Sequence, residues 1–226
     1  MKWDDVCILN VCPGDAIINR QATLWKERYQ VPHDRCFAIG TVPAGFVSAS
    51  DGCLSDCTLS TKLIVATHSN HELLRLIPES NGEFSVMAAI GVAQMLGIRF
   101  GLLEAGLIAF KGCNIGSGAF LDRLLLNLDT LHVKVGWLIG YKGKSSALAS
   151  TTVANSYTTT GIEHLPKKLR EFIESGVVRA IVDPSSPGMP DDLERFLSSG
   201  RKLPDDQRVK IVRGNETVFN LYSNRY

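Results

Sequence analysis

The sequence predicts an α/β protein organised on a mostly parallel central sheet. Short continuous apolar runs recur along the chain, at Val6 to Val11, Lys62 to Thr67, Gly106 to Phe110 and Val133 to Ile139, as expected of strands buried on both faces. Segments with helical spacing lie between them, and alternation of strand with helix selects parallel pairing. The chain has 226 residues, 45% of them hydrophobic and 21% charged, which suits one globular domain with a sizeable core.

Val6 to Val11 reads as the first strand. After the Pro13-Gly14-Asp15 turn, Ile17, Ile18, Ala22, Trp25 and Tyr29 fall on one helical face within Ala16 to Tyr29. Cys36 to Ile39 is a second short strand. Thr41 to Ser60, rich in Gly, Ser, Pro and Asp, reads as a long surface loop. Lys62 to Thr67 is the third strand. Leu73 to Ile77 and Glu83 to Met87 flank Glu79-Ser80-Asn81-Gly82, which predicts a hairpin, and a helix follows from Ala88 to about Gly97.

Gly106 to Phe110 is a strand leading through Cys113 to a Gly/Ser turn and a helix with Phe120, Leu124, Leu125 and Leu128 on one face. Val133 to Ile139 is the next strand, and a helix is expected from near Ser145. Glu163 to Ser175 and Pro190 to Ser199 read as helices and Val177 to Val182 as a strand. Val209 to Val212 with Thr217 to Leu221 reads as a closing hairpin about Gly214-Asn215. Trp3, Trp25 and Trp137 are expected in the core. No repeat or linker divides the chain, so residues 1–176 are read as one α/β domain and residues 177–226 as an extension packed on it.

A net charge of +1 gives no electrostatic footprint for nucleic acid or an anionic membrane. The amino terminus is acidic where a secretory signal would be basic. The longest apolar stretch, Phe84 to Leu107, is interrupted by Gln94, Arg99 and Glu104. A cytoplasmic location is the expectation. The six cysteines at 7, 12, 36, 53, 57 and 113 form no disulfide framework, so free thiols are expected. Cys53 and Cys57 have the spacing of half a zinc site, but apart from His68 and His71 no second pair at ligand spacing completes it. Neither metal nor cofactor is expected.

Two apolar runs end in groups that can do chemistry. Leu63 to Thr67 runs into His68, and Gly106 to Phe110 runs through Lys111-Gly112 into Cys113. In open α/β sheets the ligand crevice lies beyond the carboxyl ends of the strands, so both side chains belong on one rim. There an imidazole can take a thiol proton and later return it to a leaving group.

The apolar strand into His68, the 45-residue spacing to Gly112-Cys113, and the strand-loop Val135 to Gly143 together resemble the caspase-like cysteine peptidases. The stretch from Gly140 through Tyr157 is similar to the part of CHAT domains in which a Gly-Tyr-x-Gly turn precedes an alanine-rich helix. The resemblance covers roughly residues 62–175. It implies a three-layer α/β/α fold with a mostly parallel sheet, and cleavage of a protein or peptide substrate by Cys113 with His68. It implies an oxyanion hole from the Cys113 N–H and the turn after His68, with Ser69, Gly112, Asn114, Gly140 and Lys142 around the substrate. Ser69 stands where the family usually has glycine, and His71 is a second candidate histidine. Lys111, Lys142 and Lys144 near the site suggest an uncharged or acidic side chain before the scissile bond, unless they are solvated surface residues. A regulatory protein partner is plausible by the same resemblance.

Two other classes fit parts of the sequence. A caspase-like scaffold without activity could serve as a binding or regulatory module, which Ser69 favours. Gly140-Tyr141-Lys142-Gly143-Lys144-Ser145-Ser146 has the ending of a phosphate-binding loop, but Leu138 stands where that pattern needs its first glycine.

Overall fold

The computed structural model describes residues 3, 5–78, 84–142 and 209–216. Over these residues the protein is mixed α/β. Its strands are β1 (Asp5–Asn10), β2 (Cys36–Ala38), β3 (Val47–Ser48), β4 (Thr61–Ala66), β5 (His68–Ser69), β6 (Leu74–Pro78), β7 (Phe84–Met87), β8 (Glu104–Lys111), β9 (Lys134–Tyr141) and β10 (Val209–Arg213). Seven of them form the main sheet, in the order β10-β9-β8-β4-β1-β2-β3. All pair in parallel except β10, which runs antiparallel to β9. Each strand predicted within these residues forms within one or two residues of its expected bounds. β10 is the first half of the expected closing hairpin; residues 217–221 and the elements expected between 145 and 199 lie outside the described residues.

A second sheet, β5-β6-β7, follows β4. β6 and β7 pair antiparallel as the hairpin reading requires, while residues 79–83 of its turn lie outside the described residues. Fully buried Leu74 anchors this appendage to the main core.

Among the described residues the α-helices are α1 (Ala16–Tyr29), α2 (Ala89–Gln94) and α3 (Phe120–Thr130). α1 forms as predicted because Asp15 caps it and Gln30 closes it in the left-handed conformation. The helix expected over 88–97 is shorter, passing at Met95–Arg99 into a π turn closed by the Phe100 N–H on the Met95 carbonyl. Gly97 permits this, since a Cβ there would lie 3.1 Å from a Val133 methyl.

Alternation along the strands decides which helix covers which face. Lys62 and Ala66 of β4 share a face with Leu107 and Lys111, their partners in β8. α1 lies on that face, because Lys62 Nζ donates to the Tyr29 hydroxyl at 2.8 Å and Lys111 Nζ sits 4.4 Å from the Trp25 ring. Phe110 points to the other face, where Phe120 of α3 meets it edge-on with centroids 5.9 Å apart. Trp3, Trp25 and Trp137 are partly buried against the cores.

The segment read as a surface loop is in fact built into the fold. Phe46, Ala49, Leu54 and Cys57 are buried, and Val47–Ser48 forms the edge strand β3. The Gly52 and Leu54 amides donate to the Arg99 and Phe100 carbonyls at 2.9 and 2.8 Å. That contact precedes the start of β8, so residues 52–54 lie at the amino ends of the strands, away from Cys113. Pattern reading missed it because apolar residues spaced irregularly among turn residues have no period to detect.

Among the described residues no helix is long and apolar enough to cross a membrane, and no group of three or more His, Cys, Asp or Glu side chains could hold a metal. None of the six cysteines is joined in a disulfide. Replacing Phe120 by alanine removes a buried ring and its Phe110 contact, and should cost about 3–5 kcal/mol in chemical denaturation; a loss below about 1 kcal/mol would show that α3 is not anchored there.

Candidate active site

β4 and β8 are neighbours, and the pairing of Ala66 with Lys111 fixes how their carboxyl ends emerge side by side. One residue further, Thr67 leads into His68 and Gly112 into Cys113. Neighbouring strands stand about 4.8 Å apart, so the two segments leave the same rim as neighbours. The sequence expectation of a shared rim is therefore realised on adjacent strands. The side chains of His68 and Cys113 are both only partly buried.

His68 is held from three directions. Its backbone pairs with Arg75 of β6, and its carbonyl accepts from the Thr67 hydroxyl at 2.7 Å. Its ring Nε2 lies 3.1 Å from Asp15 Oδ2. The other carboxylate oxygen of Asp15 accepts from the Ile17 and Ile18 amides, both at 2.9 Å. Asp15 follows β1, the strand next to β4 on the side away from β8. One carboxylate thus caps α1 and bonds the histidine. Partial burial pushes the Asp15 carboxyl up, but the bonds from the Ile18 amide, from His68 and from the Ile17 amide outweigh it and hold the group below its usual value.

Ser69 has a definite role: its hydroxyl donates to the Cys113 carbonyl at 2.8 Å. Gly112 packs directly beneath it. A Cβ on Gly112 would overlap Ser69 Oγ and lie 3.0 Å from the Thr67 carbonyl. The two rim segments are locked together by this contact and hydrogen bond. Asn114 adopts the left-handed conformation at φ 58°, which asparagine tolerates better than most residues, and its carbonyl accepts from the Ser117 amide and hydroxyl at 2.9 and 2.6 Å.

The remaining expected residues are placed as follows. Gly140 is buried in β9, where a Cβ would come within 2.5 Å of Ile115, so it lets the loop after Cys113 pack on the sheet. Lys142 is exposed just past β9. Lys111 is not solvated; it is 5% exposed, with its ammonium between the Trp25 and Tyr141 rings and 3.3 Å from the Tyr141 hydroxyl. His71 is exposed, 3.9 Å from Glu72, and its backbone packs against Gly118. Asn70 is a turn former: its side-chain oxygen accepts from the Glu72 and Leu73 amides.

Asp15 is the residue that sequence reasoning missed. Its signal was present, since a Pro-Gly-Asp turn before a helix marks an N-cap, but nothing in the sequence tells that its second oxygen faces His68. The other thiols are differently placed. Burial pushes Cys36 and Cys53 up to about 11. Cys7, which donates to Cys57 and is buried, lies well above the usual thiol range. Cys57 is lowered by that bond from Cys7 against its own burial, with Arg35 Nη2 3.9 Å from its sulfur. Cys57 is only 4% exposed, which limits reagent access.

No family model and no curated protein matches the chain. Among solved structures, the chain is similar to a secreted C11 cysteine protease from Bacteroides thetaiotaomicron, crystallised in complex with an irreversible peptide inhibitor, with a TM-score of 0.41 and 8% identity over 92% of this chain. The similarity spans 65% of that protein's chain.

Gly112→Ala should separate the two rim segments and lower stability by about 1–3 kcal/mol, and adding Ser69→Gly should restore part of the loss in a double-mutant cycle; strictly additive effects would mean the two do not meet. The depressed Asp15 carboxyl also gives acid stability a definite sign. Ionisation is favoured in the folded state, so the stabilisation is present above the ordinary 3.8 and lost as pH falls through the lower folded value. Melting temperature should therefore fall more steeply below about pH 4 in the parent than in Asp15→Asn, and parallel curves would contradict the bonding described.

Proposed function

We propose that the protein is a caspase-like cysteine peptidase that cuts a protein or peptide substrate with Cys113 as nucleophile and His68 as acid and base. The observation that carries this reading is the emergence of His68 and Cys113 from the carboxyl ends of adjacent parallel strands, on segments tied by the Ser69 hydroxyl. We read α1 on one face and α3 on the other as the outer layers of a three-layer α/β/α domain.

In this reading the Cys113 thiolate attacks the scissile carbonyl, and backbone amides at Cys113 and after His68 receive the developing oxyanion. His68 protonates the departing amine, then takes a proton from the water that hydrolyses the thioester. Ser69 fits the role of shaping the oxyanion turn, because its hydroxyl holds the carbonyl of Cys113 itself. Among the described lysines expected near the site, Lys142 is the exposed one, and it favours an uncharged or acidic side chain before the scissile bond.

The test is the rate of Cys113 alkylation by iodoacetamide between about pH 5 and 9, followed by mass spectrometry in the parent and in His68→Ala, with a fluorogenic peptide library alongside. A working pair gives Cys113 an apparent pKa below that of a free thiol, raised when His68 is removed, and peptide turnover that His68→Ala lowers about 10²–10⁴-fold. The thiols near 11 stay slow in the same digest and serve as internal references. Ordinary Cys113 reactivity, indifferent to His68, would replace the peptidase with a binding module on the same scaffold.

A further inference from the structure

We infer that Asp15 is a positioning residue that fixes the tautomer of His68, making Nδ1 the ring nitrogen that exchanges protons with Cys113. The inference rests on the peptidase reading of His68 and Cys113. A carboxylate can only accept, so the 3.1 Å contact between Asp15 Oδ2 and His68 Nε2 requires the proton to be on Nε2. A neutral imidazole with its proton there is basic at Nδ1. When His68 takes up a second proton, the same carboxylate stabilises the imidazolium.

The carboxylate is well suited to hold an orientation. Its Oδ1 is engaged by two backbone amides of α1, so its plane is set by contacts other than the one to the histidine. The helix amino terminus also favours its ionised form. His68 gains a charged, rigid partner without the entropy loss of ordering a long surface side chain. Its backbone is fixed independently by pairing with β6 and by the Thr67 hydroxyl, so the ring is held at both ends.

The double use of Asp15 allows its two roles to be separated. In Asp15→Asn the side-chain oxygen still caps α1, while the amide nitrogen faces Nε2. Two donors cannot share that contact, so the proton should move to Nδ1 and the base should be lost from the side that serves Cys113. Asp15→Ala removes both roles and serves as the structural control, with helix content followed by circular dichroism.

The experiment is ¹H–¹⁵N long-range NMR of the His68 ring above its titration, with the pH profile of Cys113 alkylation measured on the same samples. The parent should show the proton on Nε2, and Asp15→Asn should show it on Nδ1, with alkylation near pH 7 slowed about 10–100-fold and helix content retained. A proton that stays on Nε2 in Asp15→Asn overturns the inference, and so does a moved proton with unchanged alkylation. Failure of the peptidase reading is separately visible: parent alkylation is then already indifferent to His68→Ala, whatever the Asp15 variants do.

Discussion

The parallel pairing of β4 with β8 is the constraint on which the rest of the site depends. Its register sets Ala66 opposite Lys111, and from that pair everything on the rim is counted outward: Gly112 beneath Ser69, and Cys113 leaving the sheet beside His68. A slip of one residue would turn Lys111 and Phe110 to the wrong faces. Both would be costly, since Phe110 fits the aromatic contact with α3 and Lys111 the rings of Trp25 and Tyr141. The hydrophobic core thus enforces the spacing of the reactive groups without any of its side chains taking part in chemistry.

Around this pair the chain adds support in layers of decreasing generality. β1 flanks β4 and delivers Asp15 at the head of α1. The β5-β6-β7 appendage holds the backbone of His68 through its pairing with Arg75. The loop after Cys113 is seated on β9 because Gly140 and Gly116 bring two backbones closer than a Cβ would allow. Each support comes from a different stretch of chain, so the rim is a convergence of contacts distant in sequence.

Because the rim converges in this way, some of it was legible in the sequence and some was not. The central strands were legible because a short continuous apolar run between turn residues belongs most naturally in a sheet buried on both faces, and α1 because a 3.6-residue apolar period begins directly after a Pro-Gly turn. The rim position of His68 and Cys113 followed from strand polarity alone. Their placement on adjacent strands did not, since strand order depends on pairings that no local pattern encodes. Asp15 was read only as part of the turn before α1, and neither its cap nor its bond to His68 was drawn from the sequence. Lys111 was left open between a lysine near the substrate and a solvated one, because composition does not show that two aromatic rings would take the place of water around its ammonium. Ser69 looked like a departure from the glycine usual in the family it resembles, and only the structure reveals the carbonyl it serves.

Lys62 and Lys111, both buried, have a mechanical meaning for the helix above them. Lys62 is 2% exposed and Lys111 5%, and burial holds the Lys62 ammonium below the usual lysine range although the Tyr29 hydroxyl opposes the shift. Ammonium groups so placed depend on Trp25 and Tyr29 as their surroundings, so sliding α1 along the sheet would strand them against hydrocarbon. A helix of 14 residues extends about 21 Å, with this aromatic clamp toward one end and Asp15 just before the other. The lysines therefore act as an index pin for α1, and the placement of the carboxylate that meets His68 is inherited from a contact nearly the full length of the helix away.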